Sequence, residues 1–361
     1  MTPHSLAFGI ALTCAALIGF AAHRASLCNV RAVAEIMNGG SAHMLGSLLQ
    51  AALWMATLTG VLVLGFGRAL PPVLMPSSMG WALAGGWLFG AGAALNGGCS
   101  LSTLHRLADG ELGMLATLAG LVLGVLAWAA AGVLHAGVVW LPVVPAWIRW
   151  PALAPWLLLA LALWALLRVR AFGRLWRSQP EPSLRRRVLA PRYHLSVSAA
   201  VMGLAGGLLY ATHGAWSYTN HLRTSVLHAW GGGAAAPSGA HSALVIALVG
   251  GMAASALQRG SVAWRRPSGP GGWLRHGAGG VLMGAGAAMV PGGNDTLLLN
   301  GLPTLALQAA TSYLSLLVGI ATVLWLMRRT RLPMPAVTCT PAGCSEAEPP
   351  PRAITGREGR Q

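Results

Sequence analysis

The sequence predicts an all-α, polytopic membrane protein. It has about nine transmembrane helices, short broken or re-entrant helices, and two repeats of inverted topology. Three observations predict this. Hydrophobic residues make up 55% of the 361 positions and charged residues only 9%, against about 25% charged in a soluble chain. Several apolar runs exceed the roughly 18 residues needed to cross a bilayer core. A Gly-rich decapeptide occurs twice, in the two halves of the chain.

The apolar runs lie at roughly 5–22, 44–66, 80–96, 113–135, 152–168, 195–212, 241–257, 277–291 and 304–327. The first lacks the basic n-region and small-residue cleavage site of a signal peptide, so it reads as a retained span. The third and eighth are short and Gly-rich, which suits helices that are broken or only partly spanning. The organisation follows: residues 1–135 form the first transmembrane repeat, and 136–194 an extra span with a basic cytoplasmic linker. Residues 195–330 form the second repeat, and 331–361 a disordered cytoplasmic tail.

Net charge is +16. Every basic residue is Arg, and the arginines lie in short stretches between apolar runs. That is the positive-inside pattern of a membrane protein rather than the basic face of a nucleic-acid binder. Three segments carry the excess: Arg168 to Arg192, Arg259 to Arg275, and Arg328 to Arg331. With nine spans all three face the cytoplasm, placing the N-terminus outside and the C-terminus inside.

The repeat reads GGWLFGAGAA at 85–94 and GGVLMGAGAA at 279–288, with eight of ten positions identical. The copies lie on the third and eighth spans, five places apart in the order, so one runs inward and the other outward, as in an inverted-topology repeat. A second GG pair follows each copy: Gly97-Gly98 before Cys99, and Gly292-Gly293 before Asn294. Paired glycines break a helix and free backbone polar groups, which in a bilayer must be satisfied by protein or line a cavity. Helix N-termini at such breaks carry partial positive charge and suit an anion. Candidate substrate-binding residues are therefore Cys28, Cys99, Gly97, Gly98, Gly292, Gly293 and Asn294. Cys28 follows the first span, in a Gly- and polar-rich break like that of Cys99. The second half has a looser counterpart near His213 and Trp216.

Thiols are weak hydrogen-bonding groups that could pass a soft sulfur anion without trapping it. Of the other cysteines, Cys14 reads as packing, and Cys339 and Cys344 fall in the Pro-rich tail. The chain has no metal-ligand spacing and no call for a cofactor; His23, His105 and His213 read as interfacial residues. The only carboxylates near a broken helix are Asp295, Asp109 and Glu111, too few for a proton-relaying chain.

At these residues the sequence resembles the YeeE/YedE family of sulfur-compound transporters, bacterial inner-membrane proteins linked to thiosulfate uptake. The matching elements are His23-Arg24-x-x-x-Cys28, the stretch from Gly90 to Ser100, and the stretch from Gly284 to Asp295. The resemblance covers roughly residues 5–327. It implies an hourglass of two inverted halves that imports thiosulfate, or a related sulfur anion, past cysteine thiols. Cys28 and Cys99 match two of the family's positions. The expected second-half Cys is missing, and Asn294 or the Trp216–Tyr218 region stands in its place. Some relatives are associated with small sulfur carriers, which implies a cytoplasmic sulfur-carrier protein as partner. The alternative function is a sulfurtransferase-like membrane protein that relays sulfane sulfur through Cys persulfides; Arg24 and Arg31, which flank Cys28, would favour its thiolate.

Overall fold

The fold is seen in a computed structural model, which describes residues 3–134, 138–178, 189–231, 236–267, 269–332, 337–340 and 343–346. The first half contains α1 (Pro3–Ala25), α2 (Asn29–Gly39), α3 (His43–Gly60), α4 (Met79–Asn96), α5 (Ser100–Ala108) and α6 (Gly113–Ala130). A short helix, α7 (Ala146–Arg149), and α8 (Ala154–Ser178) follow. The second half contains α9 (Leu195–His213), α10 (Tyr218–Ala229), α11 (Gly239–Arg259), α12 (Pro270–Met289), α13 (Asn294–Thr296) and α14 (Leu307–Arg329). Both halves thus alternate long helices with short ones that begin at chain breaks.

Among the described residues seven segments are long and apolar enough to cross a membrane. The chain is a multi-pass membrane protein. The difference from nine lies in α4 and α12. Both are helices of ordinary span length, 18 and 20 residues, but their many glycines dilute the hydropathy.

Those glycines set how the helices pack. α4 and α12 run antiparallel. A Cβ on Gly92 would stand 2.6 Å from Gly279 O, and one on Gly286 would stand 2.7 Å from Gly85 O. The eighth position of each copy of the decapeptide therefore faces the first position of the other, so the two contacts are equivalent. The same exchange holds at its edges. Gly86 and Gly90 lie against the backbone of Ser312 and Leu316 on α14. Their counterparts Gly280 and Gly284 lie against Thr117 and Leu121 on α6. Removing side chains lets backbones approach closely, which drives helix association where lipid cannot. A second set pairs α1 with α11, through Gly19 on Leu248 and Gly251 on Ala16, and α9 with α3, through Gly203 on Ala51.

The extra helix α8 lies at the edge, only 6% buried over its most apolar window. It touches α3 through Trp164, whose ring is 5.2 Å from that of Trp54. Two loop strands, β1 (Val73–Pro76) and β2 (Trp140–Val143), pair antiparallel across the same end of the bundle as the C-terminus of α9. The tail differs from expectation. Instead of disorder throughout, β3 (Val337–Thr340) and β4 (Gly343–Glu346) form an antiparallel hairpin with Cys339 opposite Cys344. β3 packs on α2 and α3, and Cys339 is disulfide-bonded. Burial of Cys339 against α2 outweighs the polar, Pro-rich composition of its surroundings. Residues 347–361 lie outside the described residues.

Candidate functional site

Four breaks converge on the middle of the molecule, and each starts a short helix. After α1 the chain turns through Ser26, whose φ is 49°, and Cys28 takes extended geometry as the N-cap of α2. After α4, Gly97 adopts the left-handed conformation at φ 79° and Cys99 becomes the N-cap of α5. In the second half Gly214 turns at φ 79° and Ser217 caps α10, its Oγ accepting from Asn220 N. After α12, Gly292 and Gly293 turn at φ 88° and 93° before Asn294. Only glycine adopts these last two without strain. A Cβ on Gly293 would also strike the ring of Phe89.

The first-half breaks bring the two predicted cysteines together. Cys28 and Cys99 are each 1% exposed, and their thiols lie within hydrogen-bonding reach of each other. Cys28 Sγ faces the backbone N–H groups of Cys99 and Arg31, and Cys99 Sγ faces those of Ser102 and Asn29. These contacts fall short of formal side-chain caps on α2 and α5. Each thiol nonetheless sits where the N-termini of two helices meet, in a field of partial positive charge. The guanidinium of Arg31 adds a full charge acting on Cys28.

The second-half breaks hold polar side chains instead. Ser217 Oγ meets Thr296 Oγ1 at 2.5 Å, and buried Asp295 accepts from the Thr219 hydroxyl and from the Thr219 and Thr296 amides. Two bonds tie these second-half breaks to Ser100, the residue after Cys99. Ser100 Oγ donates to Asn294 Oδ1 at 2.5 Å, and Tyr218 OH donates to Ser100 O at 2.7 Å. Asn294 therefore stands one residue from Cys99. Of the other predicted residues, Gly97 faces Arg275 and Arg106, Gly98 lies against Ser102, and Gly292 against Asn220 and Thr296.

Sequence reasoning passed over Asn96, which anchors the first GG break. It is fully buried. Its Nδ2 donates to Gly98 O at 2.9 Å and Thr103 Oγ1 at 3.1 Å, while its Oδ1 lies 2.7 Å from Thr117 Oγ1 and 2.8 Å from His276 Nδ1. An amide directly before paired glycines in an otherwise apolar helix was the available signal.

On one side of the thiols a cavity of about 300 Å³ opens among Arg24, Arg31, Arg106, Arg192, Arg259 and Arg265. Its two carboxylates are engaged. Glu111 holds Arg106 at 2.6 Å, and Asp109 accepts from Ser261 Oγ at 2.5 Å and lies 3.0 Å from His23 Nε2. Burial works to raise the Asp109 carboxyl, but the hydrogen bonds from His23 and Ser261 outweigh it and hold the group below its ordinary value. His23 and His105 are not interfacial, as their positions at helix ends suggested; they are 1% and 3% exposed. The Asp109 loop and the α11 C-terminus fold over them. Arg24 is buried as well, tying α1 to Ala190 O and Gln258 Oε1.

On the opposite side, a small pocket of about 20 Å³ lies among Trp216, Tyr218, Asp295 and Asn300. A larger one of about 280 Å³ shares Tyr210 and Asn300 with it. Among the described residues no three His, Cys, Asp or Glu side chains group in a way that could hold a metal ion.

Buried thiols at facing helix ends, below an arginine-lined cavity, suit a soft anion. A family model described as sulphur transport matches residues 24–322. The chain belongs to the sulphur transport family, YeeE/YedE. No curated protein matches it. This sulphur transport protein is a membrane transporter of sulfur compounds. The matched region contains all four breaks and leaves out the hairpin of the tail.

Proposed function

We propose that the protein imports thiosulfate or a related sulfur-containing anion, through a central path between two inverted halves on which Cys28 and Cys99 are the soft contacts. The observation that carries this reading is the meeting of the two thiols at the N-termini of α2 and α5. A dianion gains from four converging backbone N–H groups, and its sulfur end from polarisable thiols. Cavities on both sides of the thiol pair support a path that is closed in this state. The exchanged packing of α4 with α14 and α12 with α6 supports the inverted relation of the halves. Gly97, Gly98, Gly292, Gly293 and Asn294 shape the unwound segments that flank the substrate. In this chain Asn294 and Ser217 take the places where a second-half thiol would stand, so the second half offers the anion hydrogen bonds alone.

The Arg-rich end faces the cytoplasm of a bacterial inner membrane, with the N-terminus outside. It gathers residues 189–192 and 258–266 around the Asp109 loop, as positive charge on the inner side requires. A cytoplasmic sulfur-carrier protein would receive substrate there.

Uptake of labelled thiosulfate into proteoliposomes tests the reading, with sulfate and sulfite as competitors. Cys28→Ala and Cys99→Ala are expected to insert normally and lose uptake. Full uptake by both variants would overturn it. The adjacency of two thiols also keeps a persulfide relay in view. A mass increase of one sulfur on Cys28 or Cys99 after substrate exposure is its signature, and simple passage predicts none.

A further inference from the structure

His105 sits in the wall of the arginine-lined cavity. It is 3% exposed, and its Nε2 is buried with no hydrogen-bond partner. Leaving such a group unpaired is costly, and an occupant of the cavity would relieve that cost. Its neighbours say what kind. The His105 ring meets the His23 ring edge-on at 6.0 Å. His23 is itself fixed, with Nδ1 2.8 Å from Ser255 Oγ and Nε2 3.0 Å from Asp109. That pair holds the His105 ring in place without using its Nε2. The carboxylates of the cavity are already taken by His23, Ser261 and Arg106, which leaves the arginines in excess. The wall also includes Ser26 and Arg31, close in sequence to Cys28 on either side.

We propose that this cavity is a second anion station, at which His105 Nε2–H donates to the oxyanion end of the substrate before or after the thiols hold its sulfur end. This rests on the transport reading above but is separable from it. The station recognises charge and oxygen, and does not distinguish sulfate from thiosulfate; that discrimination belongs to the thiols. A hard anion end and a soft sulfur end are thus read at different places.

The test is equilibrium binding of labelled thiosulfate to the purified protein in a neutral detergent. Wild-type protein and the Cys28→Ala/Cys99→Ala double variant are both expected to bind, with sulfate displacing the label from the double variant. His105→Phe is expected to weaken binding to the double variant by roughly ten- to a hundredfold, the loss of one hydrogen bond to a charged group. His105→Gln, which keeps a donor, is expected to recover most of it. Should His105→Phe fail to fold, Arg192→Gln on the cavity wall is expected to weaken binding several-fold and to make it less salt-sensitive. Unchanged affinity in His105→Phe, or in Arg192→Gln, overturns the station. So does complete loss of binding in a folded double-cysteine variant, an outcome that leaves the transport reading standing. Conversely, transport by the double-cysteine variant removes the thiol reading and leaves the station intact.

Discussion

Replacing Gly92 by Ala tests the packing on which both halves depend. In an ordinary exposed helix this change stabilises by about 0.5–1 kcal/mol, because Ala has less backbone entropy to lose. At Gly92 the new Cβ would stand 2.6 Å from Gly279 O and from Met283 N, where ordinary contact begins at 3.4 Å. These are backbone atoms of α12 and cannot swing aside, so α4 and α12 must part by about 0.8 Å. A gap of that size forfeits about a quarter to a half of the dispersion energy of each facing atom pair. Over some tens of pairs at about 0.1–0.2 kcal/mol each, that is roughly 1–2 kcal/mol, within the usual range of about 1–3 kcal/mol for overpacking. Gly286→Ala, its counterpart in the other copy, meets Phe89 N at 2.5 Å and Gly85 O at 2.7 Å and should cost about the same. The control is Gly250→Ala in α11, where nothing lies within 4 Å. Thermal melting in one detergent should place Gly92→Ala and Gly286→Ala several degrees below wild type and Gly250→Ala at or above it. Coincident melting of Gly92→Ala and Gly250→Ala would refute the reasoning.

Asp109 makes stability depend on pH. Its carboxyl binds a proton less readily folded than unfolded. Its contribution is therefore complete above the ordinary carboxylate pKa and is lost as pH falls through the lower folded value. Melting temperature should drop on that acid limb in wild type, and the drop should be smaller in Asp109→Asn. The Ser100–Asn294 bond is measurable too. Ser100→Ala strips Asn294 Oδ1 of its donor and should cost about 1–2 kcal/mol, with a double-mutant cycle against Asn294→Ala returning a coupling near 1 kcal/mol. Additive effects would mean that the bond contributes nothing. Asn96→Ala leaves Thr117 and His276 without a shared acceptor. It should destabilise by about 2–3 kcal/mol, read as increased protease cleavage near the Gly97-Gly98 break.

The long helices were legible because lipid demands them. A run of apolar residues has no other stable state across a bilayer, so α1, α3, α6, α8, α9, α11 and α14 fall where hydropathy places them. The paired decapeptides were legible as well, since Gly spacing records backbone contact directly. Cys28 and Cys99 stood out as polar breaks in apolar chain, but nothing local says that two residues seventy positions apart touch. The short helices α2 and α10 carry mixed polarity, and their start points depend on the breaks that precede them. The tail hairpin was missed because its order comes from packing on α2 rather than from its own composition.

What the sequence by itself determined is the solvent, the number and order of long apolar segments, and where the chain must unwind. Those follow from local chemistry, residue by residue. Tertiary structure alone decided that the thiols of Cys28 and Cys99 meet, that Asn294 bonds to Ser100, and that His23 and His105 are buried under an arginine-lined cavity. Each is a contact between distant segments. Its energy is set by which helix faces can approach, and that is a property of the packed bundle rather than of any one stretch of chain.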